Sequence, residues 1–212
     1  MNDFFHEDYR NTIKNYLEND YFVGSFNQID NSDHDKYLIL RHDIDNDIDK
    51  ALEFAIIENE LGVSSSYFFR VNARYYNLLN PKNIEIVKKI ENLNHEIGIH
   101  LEFNIIDEYK LETLVKNLLN TLNINLAKKI ETYSLHEPSR VDFEVTHKEI
   151  CDIFGLMRGS YENRFFKDIK YLSDSGGRWR EGHFNEWVNV ENKLQVLTHP
   201  WWWFKKYPQE NY

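Results

Sequence analysis

Aspartate and histidine side chains stand at or just beyond the ends of several short apolar runs of the sequence. The set comprises Asp43, Asp45, His100, His136 and His199. Carboxylate oxygens and neutral imidazole nitrogens are the donor types that bind Zn²⁺ or a similar divalent ion in a site with an open position. Such an ion polarises a carbonyl group, while a carboxylate outside its ligand shell accepts a proton and a histidine donates one. The residue types therefore suit hydrolysis of an amide or an ester.

Structural roles are the alternative for each of these residues taken singly. Asp43 and Asp45 are also compatible with capping of the following helix and a salt bridge to Arg41 or Lys50. The acidic run from Asp43 to Asp49 is equally compatible with a solvated turn. A histidine at one strand end is more often a hydrogen-bonded structural residue than a ligand. Convergence of several strand ends on one rim is what favours the metal-site hypothesis.

The elements that position these residues follow from the apolar periodicity, which predicts strands alternating with helices. Strands are predicted over 37–41, 63–71, 96–100, 130–135, 171–173 and 194–198. Helices are predicted over 4–18, 48–61, 81–93, 111–122 and 148–154. This order favours a parallel sheet with right-handed crossovers, whose functional residues gather at the carboxyl ends of the strands.

The length and the loops narrow the fold further. No glycine-rich loop follows the first strand, which argues against a dinucleotide site or a phosphate-binding loop. The chain has 212 residues, whereas a complete barrel of eight strand–helix units needs about 250. A reduced barrel in one domain fits this length.

Composition excludes several classes of protein. Lys and Arg number 25 against 35 Asp and Glu, a net charge of −10, so a nucleic-acid partner is not expected. Cys151 is the only cysteine, which rules out an internal disulfide and a cysteine-rich zinc module. The first ten residues lack the features of a signal peptide, and no apolar run has the roughly 18 residues of a membrane span. We therefore expect a soluble cytoplasmic protein.

Aromatic residues make up 15% of the chain, and three of its five tryptophans are consecutive at 201–203. Alternating burial cannot hide all three on one face, so at least one is expected at the surface or in a pocket. Aromatic rings stack on sugar-like ligands. The run is also compatible with a contact between two copies of the chain, as in a homodimer.

Several blocks of the sequence resemble the polysaccharide deacetylases, the NodB-homology proteins of carbohydrate esterase family four. The blocks that carry the resemblance are LRHDID (40–45), ALEFAIIENELGVSSSYFF (51–69) and HEIGIH (95–100). Later blocks resemble a divergent branch that is often found with surface-polysaccharide or O-antigen genes: SLHEPS (134–139), YLSDSGGRWRE (171–181) and LTHPWWW (197–203). The resemblance covers about residues 37–203.

The resemblance implies a fold and an activity. The fold is an α/β, distorted and incomplete (β/α) barrel of seven mainly parallel strands, in a single domain over 1–212 whose residues 1–36 form a helical extension. The activity is metal-dependent removal of an acetyl group from a sugar. Asp43 matches the catalytic base and His199 the general acid, while Asp45 and His100 match metal ligands. Zn²⁺ is the expected ion, with Co²⁺, Ni²⁺ and Fe²⁺ as alternatives.

The sequence also departs from the family pattern. Ile44 splits the usual pair of adjacent aspartates, and Asn104 stands where a second metal-binding histidine is expected. The third motif, Arg-x-Pro-Tyr, is replaced by residues 136–139. The third metal ligand is thus open between His136, the best substitute, Glu102 and Asn104.

The expected substrate is a small molecule or an oligosaccharide that bears an acetamido group. Substrate contacts are predicted for Arg70, Asn72, Asp174, Trp179, Arg180 and Trp202. The alternative function is a catalytically degraded homologue that binds sugars or acts as a scaffold in surface-polysaccharide synthesis. Loss of Asp43 should abolish turnover in the enzyme and change little in the binding protein.

Overall fold

Strands and helices alternate along the chain in the computed structural model, which describes residues 4–103, 106 and 110–207. The strands are β1 (Phe22–Gly24), β2 (Tyr37–Ile44), β3 (Ser66–Arg70), β4 (Glu96–Leu101), β5 (Thr132–Leu135), β6 (Arg158–Gly159), β7 (Lys170–Ser173) and β8 (Lys193–Thr198). The helices are α1 (His6–Glu18), α2 (Phe26–Asp30), α3 (Ile48–Glu60), α4 (Pro81–Asn92), α5 (Glu112–Asn125), α6 (Phe143–Phe154) and α7 (Asn163–Phe166). Short 3₁₀ helices occupy Pro138–Arg140, Phe184–Trp187 and Pro200–Trp202.

The strands form one sheet, and every pairing between described residues is parallel. Seven strands follow the order β6-β5-β4-β3-β2-β8-β7, and β1 pairs with the first residues of β2. The sheet curls into a half-barrel whose edges, β6 and β7, are not joined. The predicted distorted, incomplete (β/α) barrel is therefore confirmed.

Strand β2 is longer than the sequence pattern predicted. It continues beyond Arg41 through His42 and Asp43 to Ile44, and all eight of its residues are buried. Its buried polar residues are paired, Arg41 with Asp43 and His42 with Glu58, so they did not end the strand. Because successive side chains point to opposite faces, Arg41 and Asp43 share one face while His42 lies on the other.

Helix starts are fixed by capping residues. Asp47 caps α3, where its side chain accepts hydrogen bonds from two backbone N–H groups. Asn80 caps α4, where Pro81 occupies the first turn. Helix α6 begins at Phe143, five residues before its predicted start at Lys148, because the carboxylate of Asp142 caps it there.

The segment before residue 37 supplies a strand in addition to helices. Strand β1 joins the sheet, and Tyr9 and Tyr16 of α1 are fully buried in the core. Strands β1 and β6 escaped prediction because runs of three and two residues carry no measurable periodicity. Within the part of the chain that the structure describes, no helix has the length and apolar character needed to cross a bilayer.

A close approach of neighbouring strands explains the glycine of EIGIH. A Cβ atom on Gly98 would lie 2.5 Å from the Phe68 ring and 2.8 Å from the Thr132 carbonyl oxygen. A larger residue would push β4 away from β3 or β5. Gly98 therefore lets these strands pack tightly at the point two residues before His100.

Candidate metal centre

Three side chains from different strands converge at the carboxyl end of the sheet. Asp45 follows β2 directly, His100 lies in β4 and His136 follows β5. His100 Nε2 is 3.1 Å from His136 Nδ1 and 3.5 Å from Asp45 Oδ1, and His136 Nδ1 is 3.4 Å from Asp45 Oδ1. These three residues form a group whose donor atoms are close enough to share one ion.

The donor set fits a divalent ion. Two ligand atoms that lie roughly 2.1 Å from a tetrahedral ion are about 3.4 Å apart, which matches the three measured separations. Asp45 Oδ1 is buried and has no hydrogen-bond partner among the described residues. Its neighbours are nitrogen atoms of His136, His100 and Arg70 at 3.4, 3.5 and 3.7 Å, so the oxygen lies where it could share an ion with the two imidazoles.

The orientation of His100 is set by Ser134 on the neighbouring strand, with which it is in register. The Ser134 hydroxyl donates to Asp43 Oδ1 at 3.1 Å and lies 2.5 Å from His100 Nδ1. Since that hydroxyl has only one proton, Nδ1 of His100 must donate to it, which leaves the Nε2 lone pair facing Asp45 and His136. Burial lowers the pKa of His100 to about 4, so the imidazole is neutral near pH 7, as a ligand must be.

Asp43 is held by a buried arginine from its own strand. Arg41 Nε donates to Oδ1 of Asp43 at 3.0 Å and Nη2 donates to Oδ2 at 2.8 Å. Nη2 of Arg41 also contacts the Tyr161 hydroxyl at 3.1 Å, and Nη1 contacts Gln195 Oε1 at 3.2 Å. Burial favours the neutral carboxyl, but the Arg41 guanidinium together with His100 and His199 outweighs it and lowers the pKa of Asp43. Asp43 is thus ionised and fixed in place.

His199 forms a second pair, with Asp174. Its Nδ1 lies 2.6 Å from Asp174 Oδ1, and its backbone N–H donates to the same carboxylate at 3.0 Å. Trp203 Nε1 donates to the other oxygen at 2.9 Å. Burial favours neutral His199, but the carboxylates of Asp174, Asp43 and Asp45 together more than compensate and raise the pKa of His199 to about 9. Its Nε2 lies 3.8 Å from Asp45 Oδ2, at the edge of the metal centre.

Glu102 lies beside the centre, but its oxygens are already engaged. Arg70 Nη2 contacts Oε1 and Asn72 Nδ2 donates to Oε2 at 2.6 Å. His136 Nε2 lies 3.8 Å from Oε1. Of the three alternatives for the third ligand, Glu102 is therefore held away by its partners and Asn104 lies outside the described residues. His136 is the donor that the geometry favours.

Comparison with known proteins places the fold. No family model and no curated protein matches the sequence, but solved structures do. A family 4 carbohydrate esterase from Streptomyces lividans, solved with acetate, has a TM-score of 0.52 and 11% identity over 84% of this chain and 83% of its own. One from Bacillus anthracis has a TM-score of 0.51 and 12% identity over 89% of this chain and 76% of its own. The chain has the fold of the family 4 carbohydrate esterases.

The esterase fold also includes proteins that have lost activity. A mutant of a family 4 pseudoenzyme, with restored enzymatic activity, has a TM-score of 0.50 and 14% identity over 79% of this chain. This chain spans 57% of that protein's length. Identities this low carry information about the fold alone, so activity must be argued from the residues themselves.

The predicted substrate residues occupy different environments on the esterase fold. Arg70 and Asn72 contact Glu102 at the centre, and Asp174 is buried beneath His199. Trp179 is buried against Phe184, and Arg180 is exposed. Trp202 is half-buried, packs over Gly177, and has a buried indole N–H without an acceptor among the described residues. Of the consecutive tryptophans only Trp203 is fully buried, in keeping with the expectation for that run.

Sequence reasoning missed part of the support around the centre. From the sequence, Arg41 suggests only a structural salt bridge to Asp43; that salt bridge exists, and it holds the Asp43 carboxylate beside the centre. Spacing of two along a strand was the signal, because such residues share a face. Ser134 carried no comparable signal, since its contact with His100 depends on the pairing of β4 with β5.

Proposed function

We propose that this protein is a metal-dependent hydrolase that removes an acetyl group from an acetamido sugar. The observation that supports it best is the group of Asp45, His100 and His136, whose donor atoms are close enough to share one ion. Asp43 lies on one side of this group and His199 on another, each fixed by an oppositely charged partner.

Asp45, His100 and His136 would hold the ion, with Zn²⁺ as the first expectation and Co²⁺, Ni²⁺ or Fe²⁺ accepted according to availability. A divalent ion bound there supplies Lewis acidity for an acetyl carbonyl and for water. Ser134 serves these ligands by fixing the tautomer of His100. Arg70, which contacts Glu102 and lies 3.7 Å from Asp45 Oδ1, borders the centre as a cation.

Asp43 acts as the base in this proposal. It accepts a proton from the water molecule whose oxygen adds to the acetyl carbonyl carbon. Arg41 keeps the carboxylate ionised before the step and restricts its orientation. Because Ser134 links Asp43 to His100, the base and one ligand are held in a fixed relation.

His199 acts as the acid. With a pKa raised to about 9, it carries a proton at neutral pH and donates it to the nitrogen as the carbon–nitrogen bond breaks. The products are acetate and the free amine of the sugar. Asp174 stabilises the charged imidazole and orients it through Nδ1, so Nε2 is the atom that donates.

The test combines metal analysis with an acetate-release assay on a panel of acetamido sugars. Wild type should contain about one equivalent of a transition metal and release acetate. Asp43→Asn and His199→Gln should retain the metal and lose at least about 100-fold in turnover. Asp168→Asn, an exposed surface change, serves as the matched control. Equal turnover in all four proteins would reject the assigned roles.

A second candidate function is sugar binding without hydrolysis. The observation in its favour is that Asp43 is 97% buried and both of its oxygens already accept hydrogen bonds. A carboxylate engaged in this way is a poor base if it cannot leave its partners. In that case wild type binds acetamido sugars, releases no acetate, and loses no affinity in Asp43→Asn.

A further inference from the structure

The carboxylate of Glu102 has no part in the roles assigned above, although it lies beside the candidate ligand His136. Its side chain is only 5% exposed, and both of its oxygens are engaged: Arg70 Nη2 contacts Oε1, and Asn72 Nδ2 donates to Oε2 at 2.6 Å. A buried carboxylate needs such partners, because an unpaired charge is costly inside a protein. The two donors hold Glu102 as a fixed acceptor at the edge of the centre.

The pairing of β4 with β5 brings Glu102 next to His136. Leu101 is in register with Leu135, and the backbone N–H of His136 donates to the Leu101 carbonyl at 2.8 Å. The residues that follow this pair, Glu102 and His136, therefore leave adjacent strands side by side. His136 Nε2 lies 3.8 Å from Glu102 Oε1. Strand register thus places a carboxylate at the nitrogen of His136 that is remote from the centre.

The other histidine of the centre is oriented from the same two strands. Ser134 of β5 is in register with His100 of β4 and accepts the proton of Nδ1, which leaves Nε2 free. Two residues further along, the strands exchange these parts, because the acceptor Glu102 follows β4 and the imidazole of His136 follows β5. Each imidazole of the centre is therefore matched with an acceptor from the neighbouring strand.

The position of the proton on His136 decides whether this imidazole can be a ligand. Its Nδ1 is 3.1 Å from His100 Nε2 and 3.4 Å from Asp45 Oδ1. A proton on Nδ1 would point at these two acceptors and occupy the place of an ion, whereas a proton on Nε2 leaves the Nδ1 lone pair directed there. A carboxylate beside Nε2 favours the second tautomer, since it accepts from N–H and repels a lone pair.

We propose that Glu102 is a positioning residue that keeps the proton of His136 on Nε2 and so presents Nδ1 to the centre. The separation of 3.8 Å exceeds a hydrogen bond of about 2.9 Å by less than about 1 Å, which a small rotation of the partly exposed imidazole covers. The benefit for metal binding rests on the proposed function. The tautomer is a separate property, because it is measured in the metal-free protein.

The first test is long-range ¹H–¹⁵N NMR of the metal-free protein, at a pH where His136 is neutral. Wild type should hold His136 mainly in the Nε2–H form, and Glu102→Ala should shift the population towards Nδ1–H. Glu102→Gln should shift it less, because the amide oxygen is still an acceptor. Glu131→Ala, which removes an arginine-paired carboxylate just before β5, is the matched control. Equal tautomer populations in wild type and Glu102→Ala would overturn the proposal.

The second test is a double-mutant cycle on Zn²⁺ affinity, measured by competition with a chelator. Glu102→Ala should weaken binding about 10–100-fold in wild type. It should have no further effect in the His136→Ala background, because Glu102 acts through this imidazole. The same loss in both backgrounds would overturn the proposal and would indicate that Arg70, released from Glu102, moves onto Asp45, which lies 3.7 Å from it.

The two tests separate this inference from the proposed function. A tautomer that depends on Glu102, in a protein that takes up no Zn²⁺, would reject the metal centre and support the role of Glu102. Zn²⁺ affinity and acetate release that are unchanged in Glu102→Ala would support the hydrolase and reject that role.

Discussion

Two clusters of carboxylate and histidine lie on opposite faces of β2, and they have opposite characters. On one face Glu58 of α3 accepts from Tyr9 at 2.5 Å, from Ser65 at 2.6 Å and from Tyr67 at 2.6 Å, and His42 Nε2 lies at 2.7 Å. Every one of these side chains is fully buried. The Glu58 cluster is closed and its polar atoms are satisfied.

On the other face, the cluster around Asp45 is open. The Asp45 and His136 side chains are 17% and 24% exposed, and Asp45 Oδ1 has no hydrogen-bond partner within the described residues. Both clusters pair a carboxylate with histidine. Satisfaction of the polar atoms is what separates a structural cluster from a candidate functional one.

The largest expected effect is a loss of stability when the carboxylate is removed from the Glu58 cluster. Glu58→Ala leaves His42 and two tyrosine hydroxyls buried without their acceptor, and should lower the free energy of unfolding by about 3–5 kcal/mol. Glu53→Ala, on the same helix but with partly exposed ion pairs to His6, Lys50 and Lys205, should cost under about 1 kcal/mol. Chemical denaturation measures both. Similar losses of stability in the two variants would contradict the distinction between the closed Glu58 cluster and an exposed carboxylate.

Acid should weaken the closed cluster in wild type. Burial favours neutral Glu58, but His42, His95 and Ser65 together outweigh it and lower the pKa of Glu58 from 4.5 to about 2. Its contribution is therefore complete above the unfolded pKa and is lost as the pH falls from about 4.5 towards 2. The stability difference between wild type and Glu58→Gln should shrink by about 3 kcal/mol over that interval. A pH-independent difference would show that Glu58 is not held ionised.

In the open cluster, substitution should affect metal binding and not folding. Asp45→Ala should lower the affinity for Zn²⁺ about 100-fold or more, because it removes a ligand rather than a supporting residue. The free energy of unfolding of the metal-free protein should change by less than about 1 kcal/mol. A competition assay with a chromogenic chelator and a denaturation curve report the two quantities. Unfolding without loss of affinity would make Asp45 a structural residue.

The smallest expected effect is on metal binding, when Ser134, which orients His100, is substituted. Ser134→Ala removes the acceptor of Nδ1–H and should weaken Zn²⁺ binding about 10–100-fold. Ser139→Ala, an exposed serine shortly after the same strand, is the matched control. The same chelator competition applies. Unchanged affinity in Ser134→Ala would mean that another group fixes His100.

The fold and the positions of the candidate ligands were accessible from the sequence. Apolar runs that alternate with helical stripes predicted the parallel sheet, and the incomplete barrel is confirmed. Because parallel strands share a carboxyl edge, residues at the ends of the predicted strands had to meet there. Asp45, His100 and His136 do lie together. Their roles as ligands stay a prediction.

The hydrogen-bond partners of these residues could not be predicted from the sequence, for a physical reason. Asp174 reaches His199 across 25 positions of chain, and Ser134 reaches His100 across 34. Local periodicity carries no information on strand register or loop path, and these contacts depend on both. The same holds for Glu58, whose sequence context is an ordinary polar helix position.

The sequence by itself thus determined which residue types stand at the strand ends, because hydrophobic patterning and strand direction are local properties. Only the tertiary structure decided which of these side chains have hydrogen-bond partners for their polar atoms. Glu102 is held by Arg70 and Asn72, while Asp45 Oδ1 makes no hydrogen bond within the described residues. Hydrogen-bond satisfaction is a property of the packed assembly of strands, since each donor and acceptor comes from a different part of the chain.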